Sequence, residues 1–427
     1  MPKLKNKTIS ANQVVGAVDR VVSSPVFRSK WVIGILCAGI ALVFIVQHIP
    51  LLYDWDIDSP SYYIAAQGIS RGSDIYNQEQ FQDLADEILG RVYIIYPYIY
   101  PPIVAQVFLP LTHLDYKTFS AVILLGNVIL SFAVVALIYF LLNLSSRTTW
   151  LPLFYLFALL LFNVPLMRNL RVGQLNLVIF ALILLSLYLD KKNRMFPASF
   201  FLMIAVFIKI FPALFILFYV LQKRWKYLWY SVISGAVLFS ISVLVSGLSY
   251  WAGFVKLLFN SMVLGERPLY FFDFDAYLTN NSIKAFFTQL FLHLDLPRTY
   301  ASAAFLLTLI FFFIFIYRRI PAFLRSQNQD YYASVLMILS LLVSGMCWQH
   351  HYVIILFPLA FVFTAIIDKK LFFLIPLYIP LHMALLYHPV DGGFPFNQTR
   401  LFASVLLLIF IWWIQGKSGY TGQEVKE

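Results

Sequence analysis

Charge and cysteine are scarce in this chain. Only 12% of its 427 residues are Asp, Glu, Lys or Arg, too few to clothe a water-soluble domain of that size. The two cysteines, Cys37 and Cys347, each lie in or at the end of an apolar run, which excludes a disulfide framework and a thiolate metal site. No Gly-rich phosphate loop of the P-loop or dinucleotide type is present, so nucleotide-driven chemistry is not indicated. Tandem repeats, low-complexity tracts and any stretch polar enough to form a soluble domain are missing as well.

What fills the chain instead is apolar side chain, 61% of all residues. Runs of about 17–25 apolar residues recur from Trp31 to Trp413, each able to cross ~30 Å of hydrocarbon at about 1.5 Å per residue. Continuous runs exclude the alternating strands of a membrane barrel. The expectation is an all-α, polytopic membrane protein, one domain over residues 1–427, with about 11–13 spans when short and re-entrant helices are counted. The net charge of +11 sits in short clusters between the runs. That is the placement of the positive-inside rule and of contact with membrane lipids, not of a nucleic-acid surface.

Charge bias orients the chain. Residues 1–30 are basic and read as a cytoplasmic tail ahead of an uncleaved first span at 31–52. The next segment, 53–117, reads as external, since residues 53–91 carry eight acidic side chains against Arg71 and Arg91. Residues 62–71 and 79–89 have helical spacing, whereas 92–113 contain Pro97, Pro101, Pro102 and Pro110 and are expected to be interfacial or re-entrant. Parity then puts residues 168–174 outside and the basic cluster at 190–194 inside. The apolar run at 196–221 has basic clusters on both flanks and Lys209 and Pro212 in its middle. Two short helices that rise from the inside and turn at Lys209-Ile210-Phe211-Pro212 satisfy both flanks. A second external loop at 249–298, further spans to about residue 415 and a cytoplasmic tail at 416–427 complete the topology.

This topology gathers the unusual polar groups on one face. Asp54, Asp56 and Asp58 alternate just where the first helix leaves the bilayer; Arg168, Arg171, Gln174 and Asn176, then Asn280-Asn281-Ser282, then Trp348-Gln349-His350-His351 join them. Lys209 points up from membrane depth, where an ionisable group is costly and by default functional. Any one of these groups could be a structural partner, but a convergence of carboxylate, cations and histidines is hard to explain as packing. Adjacent histidines project about 100° apart on a helix and seldom share one ion, so metal ligation is not expected and no cofactor is called for. A carboxylate facing a cationic pocket at membrane level suits transfer from a phospholipid-like donor. Arg, Lys or His holds the leaving phosphate and the carboxylate takes a proton from the attacking hydroxyl.

The motifs also resemble a known family, the membrane glycosyltransferases of the GT-C fold and, within them, glycosyltransferase family 87 (DUF2029). Asp58-Ser59-Pro60-Ser61-Tyr62-Tyr63-Ile64-Ala65-Ala66 with Gly72 and Ile75-Tyr76 is similar to its acidic-tyrosine-alanine motif, and Tyr100-Pro101-Pro102 to its Tyr-Pro-Pro element. Gly173-Gln174-Leu175-Asn176 resembles its Gly-Gln-x-Asn, Lys209-Ile210-Phe211-Pro212 its Lys-x-x-Pro, Asn280-Asn281-Ser282 its Asn-Gln-Ser and Trp348-Gln349-His350-His351 its Trp-x-His-His. Asn281 replaces the family's usual glutamine, and Gln349 stands where an acidic or polar residue often sits.

The resemblance implies an inverting, metal-independent transfer of mannose or a related hexose or pentose from a polyprenyl monophosphate. The acceptor would be a hydroxyl on a glycolipid or glycan outside the cytoplasmic membrane. It implies Asp58 as the catalytic base, with Asp56 as competitor. Arg171, Lys209, His350, His351 and Arg168 are the candidates for the donor phosphate; Gln174, Asn176, Asn281, Tyr62 and Tyr63 are those for sugar or acceptor. The rival reading is a transporter or flippase of lipid-linked sugars, although the two related halves common in transporters are not seen.

Overall fold

The structure is a computed structural model that describes residues 11–52, 58–90, 95–147, 149–262, 280–297, 299–325, 328–387 and 392–417. Among them all regular structure is helical, as expected. Asp54, Asp56 and the charged residues of 263–279 lie outside the described residues.

The chain opens with α1 (Ala11–Val22), α2 (Pro25–Arg28) and α3 (Lys30–His48). Three shorter elements follow, α4 (Ser59–Arg71), α5 (Gln78–Leu89) and α6 (Pro102–Phe108), then the long α7 (Tyr116–Leu141). Polar caps mark their starts: Asn77 accepts from the backbone of Glu79 and Gln80 ahead of α5, and Asp115 from Thr118 ahead of α7. Next come α8 (Leu151–Leu161), α9 (Val164–Arg171), α10 (Asn176–Lys191), α11 (Met195–Ile208), α12 (Ala213–Leu221), α13 (Trp225–Ser246) and α14 (Leu248–Met262). The chain closes with α15 (Ile283–His293), α16 (Thr299–Arg325), α17 (Gln329–Leu342), α18 (Leu356–Asp368), α19 (Ile375–Leu386) and α20 (Thr399–Lys417).

Among the described residues, five helical stretches are long and apolar enough to cross a membrane: Lys30–Leu51, Tyr116–Leu141, Trp225–Ser246, Gln349–Asp368 and Phe396–Gln415. The pair α8 and α9, bent by 47°, makes a sixth. Several others, α11 and α6 among them, are apolar but too short to span alone. Two expectations change in detail. Residues 168–171, placed between two spans, are the last turn of α9, whose start is set by Asn163 accepting from the Leu166 N–H and by Pro165 in the first turn. The segment 249–298, read as a loop, holds helices α14 and α15.

The run at 196–221 is broken as expected. Helix α11 ends where Lys209 adopts an extended backbone, with φ −145° and ψ 147°, and α12 begins after Pro212. A main core joins α7 to α13 with α17, α18 and α20, and a second apolar cluster built on Tyr62, Phe81, Tyr98, Val104 and Phe119 holds α4, α5 and α6 together. Large apolar side chains such as Leu244, Trp31, Val107 and Leu307 face outward, a surface suited to lipid and not to water.

The helices separate two polar ends, and α10, 16 residues long and hence about 24 Å, connects them. At its C-terminal end the Arg224 guanidinium donates two bonds of 2.6 Å to the buried Asp190 carboxylate, which also accepts from Tyr219 and Gln329. Lys191 pairs with Asp330 at 2.6 Å, and Arg147 with Asp368. The Phe27 carbonyl accepts the Trp150 N–H here, and Lys369 Nζ reaches the Ile414 carbonyl, so the first and last helices reach the same end. The other end holds the remaining polar motifs.

Candidate active site

Asp58 stands at the N-terminus of α4 but does not cap it. Its backbone N–H instead donates to the Val172 carbonyl at 3.2 Å, which docks the start of α4 on the turn after α9. That turn needs glycine. Gly173 has φ +68°, and a Cβ there would stand 2.9 Å from the Ser59 Cβ. The Ser59 hydroxyl is fixed in turn by Ser120 at 3.0 Å. The glycine of Gly-Gln-x-Asn thus brings Gln174 beside the carboxylate.

Gln174 is the hub. Its Nε2 donates to Asp58 Oδ2 at 2.7 Å, while its Oε1 accepts from the Tyr100 hydroxyl at 3.1 Å and faces Lys209 Nζ at 3.5 Å. The fully buried Tyr62 donates to the Tyr100 hydroxyl at 3.0 Å. These bonds fix the amide orientation, because the carboxylate only accepts and the Lys209 ammonium only donates, so they take opposite ends of it. Asn169, also buried, exchanges bonds with the Gln174 backbone.

Lys209 is presented by the break between α11 and α12. Its ammonium donates to Asn176 Oδ1 at 2.9 Å, lies 3.3 Å from His351 Nε2 and sits 5.4 Å from the centre of the Tyr100 ring. The Trp348 N–H donates to the other ring nitrogen of His351 at 3.1 Å. A neutral imidazole accepts at one nitrogen only, so two donors compete for that ring. The His350 ring packs edge-on to His351, centres 4.7 Å apart, and lies within electrostatic reach of Lys209 and Arg168.

Burial pushes the Asp58 carboxyl above its usual range; the Gln174 hydrogen bond and the charges of Lys209 and Arg168 offset this only in part. The carboxylate therefore sits opposite cations drawn from α9 and from the α11–α12 break. The guanidinium of half-buried Arg168 has no hydrogen bond or ion pair among the described residues. Asn176 Nδ2, also buried, has no hydrogen-bond partner among them.

Not every candidate enters this cluster. Arg171 is exposed, and Asp58 feels Arg168 instead. Tyr63 turns away: its hydroxyl donates to the Leu114 carbonyl at 2.7 Å and its ring packs on Phe119. Asn281 is held next to the histidine segment by its backbone, its N–H donating to the Cys347 carbonyl at 2.8 Å and its carbonyl accepting from Tyr352. Tyr100, the first residue of the Tyr-Pro-Pro element, enters the cluster through its hydroxyl, whereas Asn169 carried no signal in the sequence beyond the Gly-Gln motif after it.

Fold and site together define a many-helix membrane protein with a half-buried acid facing several cations. The chain belongs to glycosyltransferase family 87, whose family model matches residues 98–345. It is therefore a membrane glycosyltransferase, acting on a sugar donor and an acceptor. No curated protein matches it. The matched span contains Tyr100, Gln174, Asn176, Lys209 and Asn281; Asp58 and the histidine pair lie outside it and are joined to it by the contacts above.

Proposed function

We propose that the chain transfers mannose or a related hexose or pentose, with inversion, from a polyprenyl monophosphate to a hydroxyl of a glycolipid or glycan on the outer side of the cytoplasmic membrane. The observation that carries this reading is the Gln174 bridge, which puts the Asp58 carboxylate and the Lys209 ammonium on either side of one amide. Asp58 takes the proton of the acceptor hydroxyl as its oxygen bonds to the anomeric carbon. The bond from that carbon to the phosphate oxygen breaks, and polyprenyl phosphate leaves with its added negative charge held by Lys209, Arg168 and a histidine of the pair His350-His351. Gln174 and Asn176 contact the sugar. A raised carboxyl suits a base, since proton transfer is favoured when its basicity approaches that of the operating pH.

The outward sidedness follows from charge. The polar end at Arg147, Lys191 and Arg224 takes the cytoplasmic side by the positive-inside rule, which leaves the Asp58 end outside. The test is incubation of the protein in vesicles with a panel of labelled polyprenyl-phosphate sugars and native membrane acceptors. A new glycosidic bond formed from one donor supports the proposal. Label that crosses the bilayer without forming a bond overturns it in favour of a flippase.

A further inference from the structure

A cavity of about 360 Å³ lies away from Asp58, at the other end of α10 and α11, lined by Arg194, Phe196, Pro197, Lys226 and Tyr230 among others. Phe196 and Tyr230 meet edge to face with centres 5.6 Å apart. They form an apolar wall of the cavity, and Lys226 Nζ stands 6.0 Å over the Tyr230 ring.

What sets this cleft apart from the rest of its end is that two cations line one aromatic-walled hollow. Arg147, Lys191 and Arg224 are each tied to a carboxylate. The side chains of Arg194 and Lys226 have no hydrogen bond or ion pair among the described residues, and both residues are exposed. Beside them Trp225 and Trp229, 61% and 67% exposed, project from the first turns of α13, itself a candidate membrane span. Exposed tryptophans at the end of a span mark the level of the lipid headgroups. Two free cations, an aromatic wall and headgroup depth together suit a phosphate that carries acyl chains.

We infer that this cleft binds the phosphate of an anionic phospholipid, gripped by Arg194 and Lys226 with the glycerol and upper acyl chain against Phe196, Pro197 and Tyr230. The site is separate from the proposed transfer centre and does not depend on that reading. It anchors the hinge between α10 and α11 and the start of α13, and so braces from below the helix that ends at Lys209.

The test is native mass spectrometry of the full chain released from nanodiscs of phosphatidylcholine with a minority of phosphatidylglycerol. Wild type is expected to retain one phosphatidylglycerol in preference to phosphatidylcholine. Each basic side chain at an anionic surface is worth about a fivefold change in binding, so the double variant Arg194→Gln/Lys226→Gln is expected to retain about thirtyfold less. The comparison variant Lys192→Gln/Lys223→Gln removes two cations equally exposed at this end but outside the cleft; it weakens general attraction to the anionic surface and is expected to keep the one preferentially retained phosphatidylglycerol. Equal loss in both double variants, or none in the first, overturns the inference. Displacement of the retained lipid by millimolar inorganic phosphate would also overturn it, by showing an oxyanion site indifferent to the lipid.

Discussion

Removing the Gln174 amide while keeping its bulk, as in Gln174→Leu, perturbs the proposed base without touching it. The lost bond, 2.7 Å from Nε2 to Asp58 Oδ2, is made to a group that ionises, and such bonds are worth about 1.5–3 kcal/mol. This bond stabilises the ionised carboxylate and acts against the burial that raises Asp58. At about 1.4 kcal/mol per pH unit, its loss moves the acid limb of the transfer rate upward by about 1–2 units. The sign is fixed. The base works when ionised, so activity falls as pH drops through that limb, and the variant fails at a pH where wild type still works and recovers as pH rises. The assay is the pH profile of kcat/KM for sugar transfer in proteoliposomes, for wild type and Gln174→Leu side by side. A limb that stays in place or moves down would refute the assignment of Asp58 as the titrating base.

Other perturbations have distinct readouts. Lys209→Met and Arg168→Gln each remove a cation proposed to hold the donor phosphate; kcat/KM for the donor is expected to fall about 100-fold or more for Lys209→Met, and an unchanged value would remove Lys209 from that role. Gly173→Ala combines φ +68° with a Cβ 2.9 Å from Ser59, a strain of about 1–3 kcal/mol, so the unfolding temperature in detergent should drop together with transfer. Unaltered melting would mean that the turn relaxes freely. Arg224→Ala leaves the Asp190 carboxylate, whose side chain is 2% exposed, without its cation; a loss of about 3–5 kcal/mol is expected, towards the low end because Tyr219 and Gln329 still donate. Denaturant unfolding checks this, and no loss would mean that Tyr219 and Gln329 alone satisfy the carboxylate.

Much of the architecture could be read from patterns that physics makes local. Apolar length gave the long helices. The break at Lys209 followed from one proline, one buried charge and basic flanks that could not sit on opposite sides of a bilayer. Gly173 carried its own signal, since a glycine ahead of Gln174 meets a backbone need that other residues resist. What escaped was tertiary or masked by polarity. The turn of α9 at Arg168 and Arg171 was placed outside by parity alone, although Asn163 and Pro165 already carried a helix start. Nothing local distinguishes Arg168 from Arg171; only the packing of α9 decides which of them reaches Asp58. The pairing of Arg224 with Asp190, and of Lys191 with Asp330 across 139 residues, depends on partners that no local pattern selects. Sequence reading left these as clusters of one sign, where the structure shows neutralised pairs and, beside them, the two cations of the cleft.

The central claim is that the Asp58 carboxylate performs the transfer, and its most direct test is the rate of labelled-sugar transfer from the polyprenyl-phosphate donor in Asp58→Asn beside Asp56→Asn. Asparagine keeps the size of the side chain and the acceptor for Gln174 but cannot take the proton. Transfer is expected to fall by about 10²–10⁴-fold in Asp58→Asn and to persist in Asp56→Asn, both proteins remaining inserted in the membrane. Transfer at the wild-type rate in Asp58→Asn would contradict the account.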